Sequence, residues 1–178
     1  MAQSVVGVFE SEKQAEEAVS SLRKSGFKEN EVSIVAKENG RGGNGKGGNG
    51  REQEGRGGLS FGNQDLGEGT WTGTAVGGLA GLLAGAGTLA IPGLGPILAI
   101  GPLAGILTGA VTGGIGGALV DFGIPETRGK ELEKRVKEGK ILALVRTEQD
   151  KVDKAESIFK DRGATDVEVH AATGRRDP

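Results

Sequence analysis

Two stretches of the chain, one near each end, carry the same order of apolar and polar positions. In the first, the apolar residues 5–9 predict a strand, and residues 32–35 predict a second one. Ser11 followed by Gln14 predicts the start of a helix between them, and Gly26 predicts its end. The buried stripe of that helix is expected to be Ala15, Ala18, Val19 and Leu22.

The second stretch repeats this plan with an offset of about 137 residues. Residues 141–145 are continuously apolar, as expected of a central strand that is covered on both faces. Thr147 is the expected N-cap of the next helix and Gly163 its stop. Val167 and Val169 alternate with polar residues, which predicts an edge strand. The expected helical stripe is Val152, Ala155, Ile158 and Phe159.

These two halves predict an α+β fold. We expect a ferredoxin-like sandwich, with a four-stranded sheet and helices on one face, in the order βαβ, insert, helix, βαβ. The additional helix begins near Pro125, carries Leu132 and Val136 as its apolar stripe, and ends at Gly139. The first half of the domain is expected at 1–38 and the second at 122–178.

The insert contains a segment at 69–121 that has no charge from Gly69 to Val120. Glycines recur there every four residues, near one helical turn, and then resume after a break. This spacing predicts a glycine-zipper hairpin, with helical arms at about 70–91 and 102–121 and a proline-containing loop at 91–101. The glycines expected to pack helices together are Gly73, Gly77, Gly81, Gly85, Gly101, Gly105, Gly109, Gly113 and Gly117.

Helix propensity favours a dry environment for this hairpin. Each glycine costs about 1 kcal/mol relative to alanine in a helix, so exposed arms would be unstable in water. Each arm is roughly 20 residues long and would span about 30 Å, the thickness of a bilayer core. The leading prediction is therefore a membrane anchor that also self-associates, with a lipid bilayer and further copies of the chain as partners. The alternative is a soluble homo-oligomer or filament whose core is the packed hairpins.

Charge around the hairpin predicts its orientation. The loop at 91–101 has no Lys or Arg, whereas six basic residues lie between 128 and 140, which favours a cytoplasmic α/β domain on the cytoplasmic membrane. The first residues do not resemble a secretory signal, so we expect the N-terminus to stay in the cytoplasm. A cytoplasmic location is also the expectation for the soluble alternative.

Residues 39–68 form a polar linker rich in Gly and Asn. Arg41 and Arg56 are each followed by two glycines, as in RNA-binding segments, but the stretch from 39 to 58 has no aromatic residue for base stacking. We expect a solvated tether, and nucleic acid binding is not expected.

Catalytic chemistry is poorly represented in the sequence. There is no Cys, and the one His, His170, is expected to lie on the surface of an edge strand. Glu131 and Glu133, with Lys134 and Arg135, are expected to form ion pairs along one helix. No catalytic, metal or cofactor residue is therefore predicted, and we do not expect an enzyme.

Several segments resemble the bacterial general stress proteins, which are also described as heat-induced or low-temperature-induced. They are VVGVFESEKQAEEAVSSLRKSGFKENEVSIVAK at the start, the apolar Gly-rich centre, and GIPETRGKELEKRVKEGKILALV. The resemblance covers most of the chain outside the linker. It implies a stress-induced, non-enzymatic protein, and it supplies no catalytic residue.

Overall fold

A computed structural model describes residues 1–38, 87–91, 94–109 and 113–172. Six strands and five α-helices lie in these ranges, with a short 3₁₀ turn at Glu29–Glu31. The strands are β1 (Ala2–Phe9), β2 (Val32–Lys37), β3 (Gly87–Ile91), β4 (Gly95–Ile100), β5 (Ile141–Glu148) and β6 (Thr165–Ala171). The helices are α1 (Glu12–Lys24), α2 (Pro102–Gly109), α3 (Gly114–Val120), α4 (Glu126–Lys137) and α5 (Gln149–Asp161).

The strands form one sheet in the order β3-β4-β2-β5-β1-β6, and every neighbouring pair is antiparallel. The central pair, β1 and β5, is in register from Ala2 opposite Glu148 to Phe9 opposite Ile141. β1 and β2 run parallel with β5 between them, and β5 and β6 run parallel with β1 between them. The α+β class and both predicted strand–helix–strand units are thus confirmed, but the sheet has six strands rather than the predicted four.

Helices α1 and α5 cover one face of the sheet. All four residues of the first predicted stripe are buried, as are Val152, Ala155 and Phe159 of the second. Phe9 and Phe159 meet edge to face with ring centroids 5.5 Å apart. The Ser11 side chain accepts a hydrogen bond from the Gln14 amide at 3.3 Å, which confirms the predicted N-cap. Local sequence signals were sufficient here because the apolar stripe of each helix is set by residues close in sequence.

Helices α2, α3 and α4 cover the opposite face, so the prediction of helices on one face is wrong. Their apolar residues join Val6, Val8, Leu142 and Leu144 of the central strands in a second buried cluster. The helical residues of this cluster are Leu103, Leu107, Ile115, Ala118, Leu119, Leu132 and Val136. A second layer is required because β1 and β5 carry buried apolar side chains on both faces.

The predicted helical hairpin is wrong over the described residues. Residues 87–91, expected at the end of the first arm, form β3, and the expected loop at 91–101 contains β4. The second arm contains two short helices, α2 and α3, and Gly114, the first residue of α3, has a φ of +59°, which interrupts a continuous helix. Short apolar runs fit strand and helix equally well, which explains the error. The rest of the first arm, at 70–86, lies outside the described residues.

Two predictions at single positions also need correction. Thr147 does not cap α5; it is buried in β5, and its hydroxyl donates to Glu31 Oε1 at 2.9 Å. The residue before α5 is Glu148, and its side chain makes no cap hydrogen bond. The carboxylate supplied by the 3₁₀ turn explains why a polar side chain is tolerated at Thr147.

Candidate functional site

The predicted helix-packing glycines do not lie along one helix. Gly101 precedes α2, where φ is +84° and a Cβ would lie 2.1 Å from the Val32 carbonyl oxygen, so only glycine fits against β2. Gly105 lies within α2 and Gly109 is its last residue, whereas Gly113 precedes α3 and Gly117 lies within it. The first set, Gly73, Gly77, Gly81 and Gly85, lies outside the described residues.

Some of these glycines lie on the outer side of the α2–α3 layer. Gly105 and Gly113 are exposed and Gly117 is half-buried. A Cβ at Gly105 or Gly117 would meet nothing within 4 Å in the described part of the chain. Val120 follows Gly113 and Gly117 at helical spacing and is 42% exposed. We call Gly105, Gly113, Gly117 and Val120 the outer surface; a role in self-association stays a prediction.

The close helix crossing in the structure uses other glycines and lies within the chain. A Cβ at Gly129 of α4 would lie 2.7 Å from the Gly116 carbonyl oxygen of α3. A Cβ at Gly116 would lie 3.2 Å from the Gly129 carbonyl carbon. The two backbones therefore approach so closely that neither position has room for a side chain. Gly116 falls outside the four-residue spacing and Gly129 outside the uncharged segment, so the sequence prediction missed both.

Glu133 supports this crossing from α4. Its Oε2 accepts a hydrogen bond from the Gly116 amide at 2.8 Å, in the first turn of α3. This amide would otherwise have no partner within its own helix. The predicted ion pair of Glu133 along its own helix is therefore replaced by a contact with the neighbouring helix.

Arg128 of α4 is the centre of an ion-pair cluster with β6. Its guanidinium lies 2.5 Å from Glu131 Oε2 and 2.7 Å from Glu168 Oε1. The guanidinium of Arg135, about two turns further along α4, lies 2.9 Å from Asp166 Oδ2. Only 22% of the Arg128 side chain is exposed, so this cluster is better shielded from water than a typical surface pair. We call these five residues the α4–β6 cluster.

His170 joins the cluster through Glu168. Its Nε2 lies 2.9 Å from Glu168 Oε2, and its side chain is 19% exposed, so it is less exposed than the predicted surface position. Burial alone would raise the pKa of the Glu168 carboxyl, but the hydrogen bonds from Arg128 and His170 outweigh burial and hold this pKa below its usual value. The bonds to Glu131 and Glu168 likewise raise the pKa of Arg128 despite its partial burial.

Ser4 lies directly opposite His170 on the neighbouring strand. Its hydroxyl is fully buried and has no hydrogen-bond partner in the described part of the chain. Because this hydroxyl is buried and makes no hydrogen bond to His170, the two side chains do not form the hydrogen-bonded pair of a nucleophile and its base. Among the described residues, no group of three or more His, Asp or Glu side chains is placed to hold a metal ion.

The first strand–helix–strand unit carries the signature of a known family. Residues 4–43 match the family model of the heat induced stress protein YflT domain. Over these residues the match confirms the resemblance to bacterial general stress proteins, and the resemblance of the Gly-rich centre and of residues 123–145 stays a prediction. The match covers nearly all of β1 and the whole of α1 and β2, and it supports a role in the general stress response. No curated protein and no solved structure matches the chain.

Gly129→Ala tests the α3–α4 crossing. The added methyl must displace the Gly116 backbone, at about 1–3 kcal/mol for overpacking, partly offset by about 1 kcal/mol of helix propensity. We expect the free energy of unfolding to fall by up to about 2 kcal/mol in urea denaturation. Gly117→Ala is the matched control in α3, where a methyl meets open space. It should gain up to about 1 kcal/mol, and equal losses in the two variants would contradict the close crossing.

Glu168→Gln tests the α4–β6 cluster by its pH dependence. The pKa of Glu168 is lower in the folded state than in the unfolded state, where it is about 4.3. The contribution of the ionised Glu168 to the free energy of unfolding is therefore present above the unfolded pKa and is lost as pH falls through the folded pKa. At neutral pH we expect the variant to be less stable by about 1 kcal/mol. The difference from the original protein should shrink as pH is lowered below about 4. A constant difference at all pH values, or the same pH dependence in the exposed control Glu138→Gln, would reject this account.

Proposed function

We propose that this chain is a non-enzymatic, structural protein of the general stress response that self-associates through the outer surface of its α2–α3 layer. The stress role rests on the match of residues 4–43. The observation that supports self-association is that this surface combines exposed Val120 with exposed Gly105 and Gly113, in a stretch without charge. The chain therefore offers small, uncharged positions to a partner.

The two sides of the α2–α3 layer explain why the outer surface suits a second copy. The inner side chains, such as Leu103, Ile115 and Leu119, are fully buried against the sheet. That burial fixes the layer, so the outer side presents a fixed shape at little entropic cost. Small residues allow two backbones to approach closely, and identical surfaces can pair about a two-fold axis.

The order of the strands supports a finer assignment of the fold. Without β3 and β4, the sheet has the order β2-β5-β1-β6 with two split βαβ units. This arrangement corresponds to the ferredoxin-like class, and β3 and β4 would extend it on the β2 side. We include this class in the proposal as the framework that carries the self-associating layer.

Membrane anchoring, the leading prediction from the sequence, receives no support from the described residues. None of the helices formed by these residues is long and apolar enough to cross a bilayer. Helices α2 and α3 have 8 and 7 residues, against roughly 20 for a span. We therefore favour self-association and use lipid vesicles as a competing condition in its test.

Sedimentation velocity of the full chain, without detergent and over a range of concentrations, tests the proposal. We expect reversible oligomers, and Val120→Lys or Gly105→Lys should weaken self-association by at least about tenfold, because a charge is placed in an uncharged contact. Gln149→Lys, which adds the same charge at an exposed position of α5, should have no effect.

Two outcomes would overturn the proposal. One is a monomer at every concentration. The other is flotation of the protein with phosphatidylglycerol vesicles after a carbonate wash, which would favour membrane insertion instead.

A further inference from the structure

The connection from β2 to β3 must cross the sheet. Both strands are antiparallel to β4, which lies between them, so they are parallel to each other. β2 ends beside the start of β4, where the Glu38 amide donates to the Pro96 carbonyl oxygen. β3 starts at the other end of β4, with Gly87 opposite Ala99. The end of β2 and the start of β3 thus lie at opposite ends of β4, and a connection between two parallel strands placed in this way passes over one face of a sheet.

The two other crossovers indicate which face this is. β1 connects to β2 through α1, and β5 connects to β6 through α5; each crossover passes one strand, and both helices lie on the same face. β1, β2 and β3 all run in the same direction, and both connections, from β1 to β2 and from β2 to β3, move towards the same edge of the sheet. Such crossovers are right-handed in about 98% of cases. A third crossover of the same hand would therefore lie on the face covered by α1 and α5.

That face has an incompletely covered region at β4. Ile97 and Ala99 point to the opposite face and are buried below the second helical layer. Leu98 and Ile100 point to the α1–α5 face, pack against its core, and are only half-buried. The third crossover would pass over this same face and over β4. The incompletely covered region therefore lies directly below it.

We propose that this region, defined by Leu98 and Ile100, is the docking surface for the chain's own residues 69–86. Of the two parts of the crossover, 39–68 is polar, whereas 69–86 has no charge and contains Leu79, Leu82 and Leu83. Eighteen residues extend about 27 Å even as a helix, longer than the roughly 20 Å of a six-residue strand. The uncharged segment therefore has both the length and the composition to cover β4.

This inference goes beyond the proposed self-association and concerns the other face of the sheet. It assigns the first glycine set, at 73–85, to a contact within one chain. The proposed self-association uses the outer surface of α2 and α3, on the other side of the sheet, so either proposal can fail without the other.

Photocrosslinking from a single thiol tests the docking. Because the chain has no Cys, Leu98→Cys in the full protein carries one attachment point for a thiol-reactive photocrosslinker. Ile100→Cys is the second variant, in case the first is poorly folded, and Lys137→Cys on the opposite face is the exposed control. An equal mixture of ¹⁴N and ¹⁵N protein distinguishes crosslinks within a chain from crosslinks between chains.

We expect mass spectrometry to find crosslinks from position 98 within residues 69–86 of the same chain, and none there from position 137. The thiol at 98 should react with maleimide about tenfold more slowly than the control thiol. Leu82→Asp should remove this protection, whereas Gly45→Asp in the polar linker should leave it unchanged. Val120→Lys, which disrupts the proposed oligomer, should also leave it unchanged.

Three results would overturn the docking: crosslinks that join ¹⁴N to ¹⁵N chains, crosslinks to lipid when vesicles are present, or a thiol at 98 that reacts as fast as the control. The first would assign the region to a second copy, and the second would assign it to a bilayer.

Discussion

Burial of both faces of the β1–β5 pair is the constraint on which the rest of the structure depends. Eight residue pairs join these strands, and apolar side chains from them enter two separate cores, one on each side of the sheet. A single helical layer would leave the apolar side chains of one face exposed to water, at a cost of about 25 cal/mol for each Å² of apolar surface. The chain therefore needs a second layer, and the uncharged segment supplies most of it through α2 and α3.

This requirement gives a reason for part of the unusual glycine content. Gly116 and Gly129 allow α3 and α4 to cross with their backbones in contact, and Gly101 lets the chain pass the Val32 carbonyl. The intrinsic helix cost of about 1 kcal/mol for each helical glycine is offset where the close approach brings buried groups together. A methyl group at Gly105 or Gly117 would meet open space in the described part of the chain, so no close crossing of helices there requires glycine.

The local units could be predicted from the sequence and the long-range parts could not. The stripes of α1 and α5 and their glycine stops are set by residues close in sequence, and the structure confirms them. β3 and β4 were missed because a short apolar run fits a strand or a helix, and pairing with β2 decides between them. Arg128 meets Glu168 only through the packing of α4 on β6, across 40 residues of sequence that show no local signal of the contact.

The two kinds of surface on the α2–α4 layer differ in their physical response. The α4–β6 cluster consists of charged groups, so its contribution depends on pH and is weakened by salt. The outer surface of α2 and α3 has no titratable group, and apolar contacts are strengthened rather than screened by excluded salts such as sulfate. High salt should therefore loosen the attachment of α4 to β6 while it favours association of the outer surfaces. Glu133 of α4 accepts a hydrogen bond from the first turn of α3. This contact links the helix that carries the charged cluster to the helix that carries part of the outer surface. A protein with this construction would couple the order of its charged helix to the placement of the layer through which we propose that it self-associates.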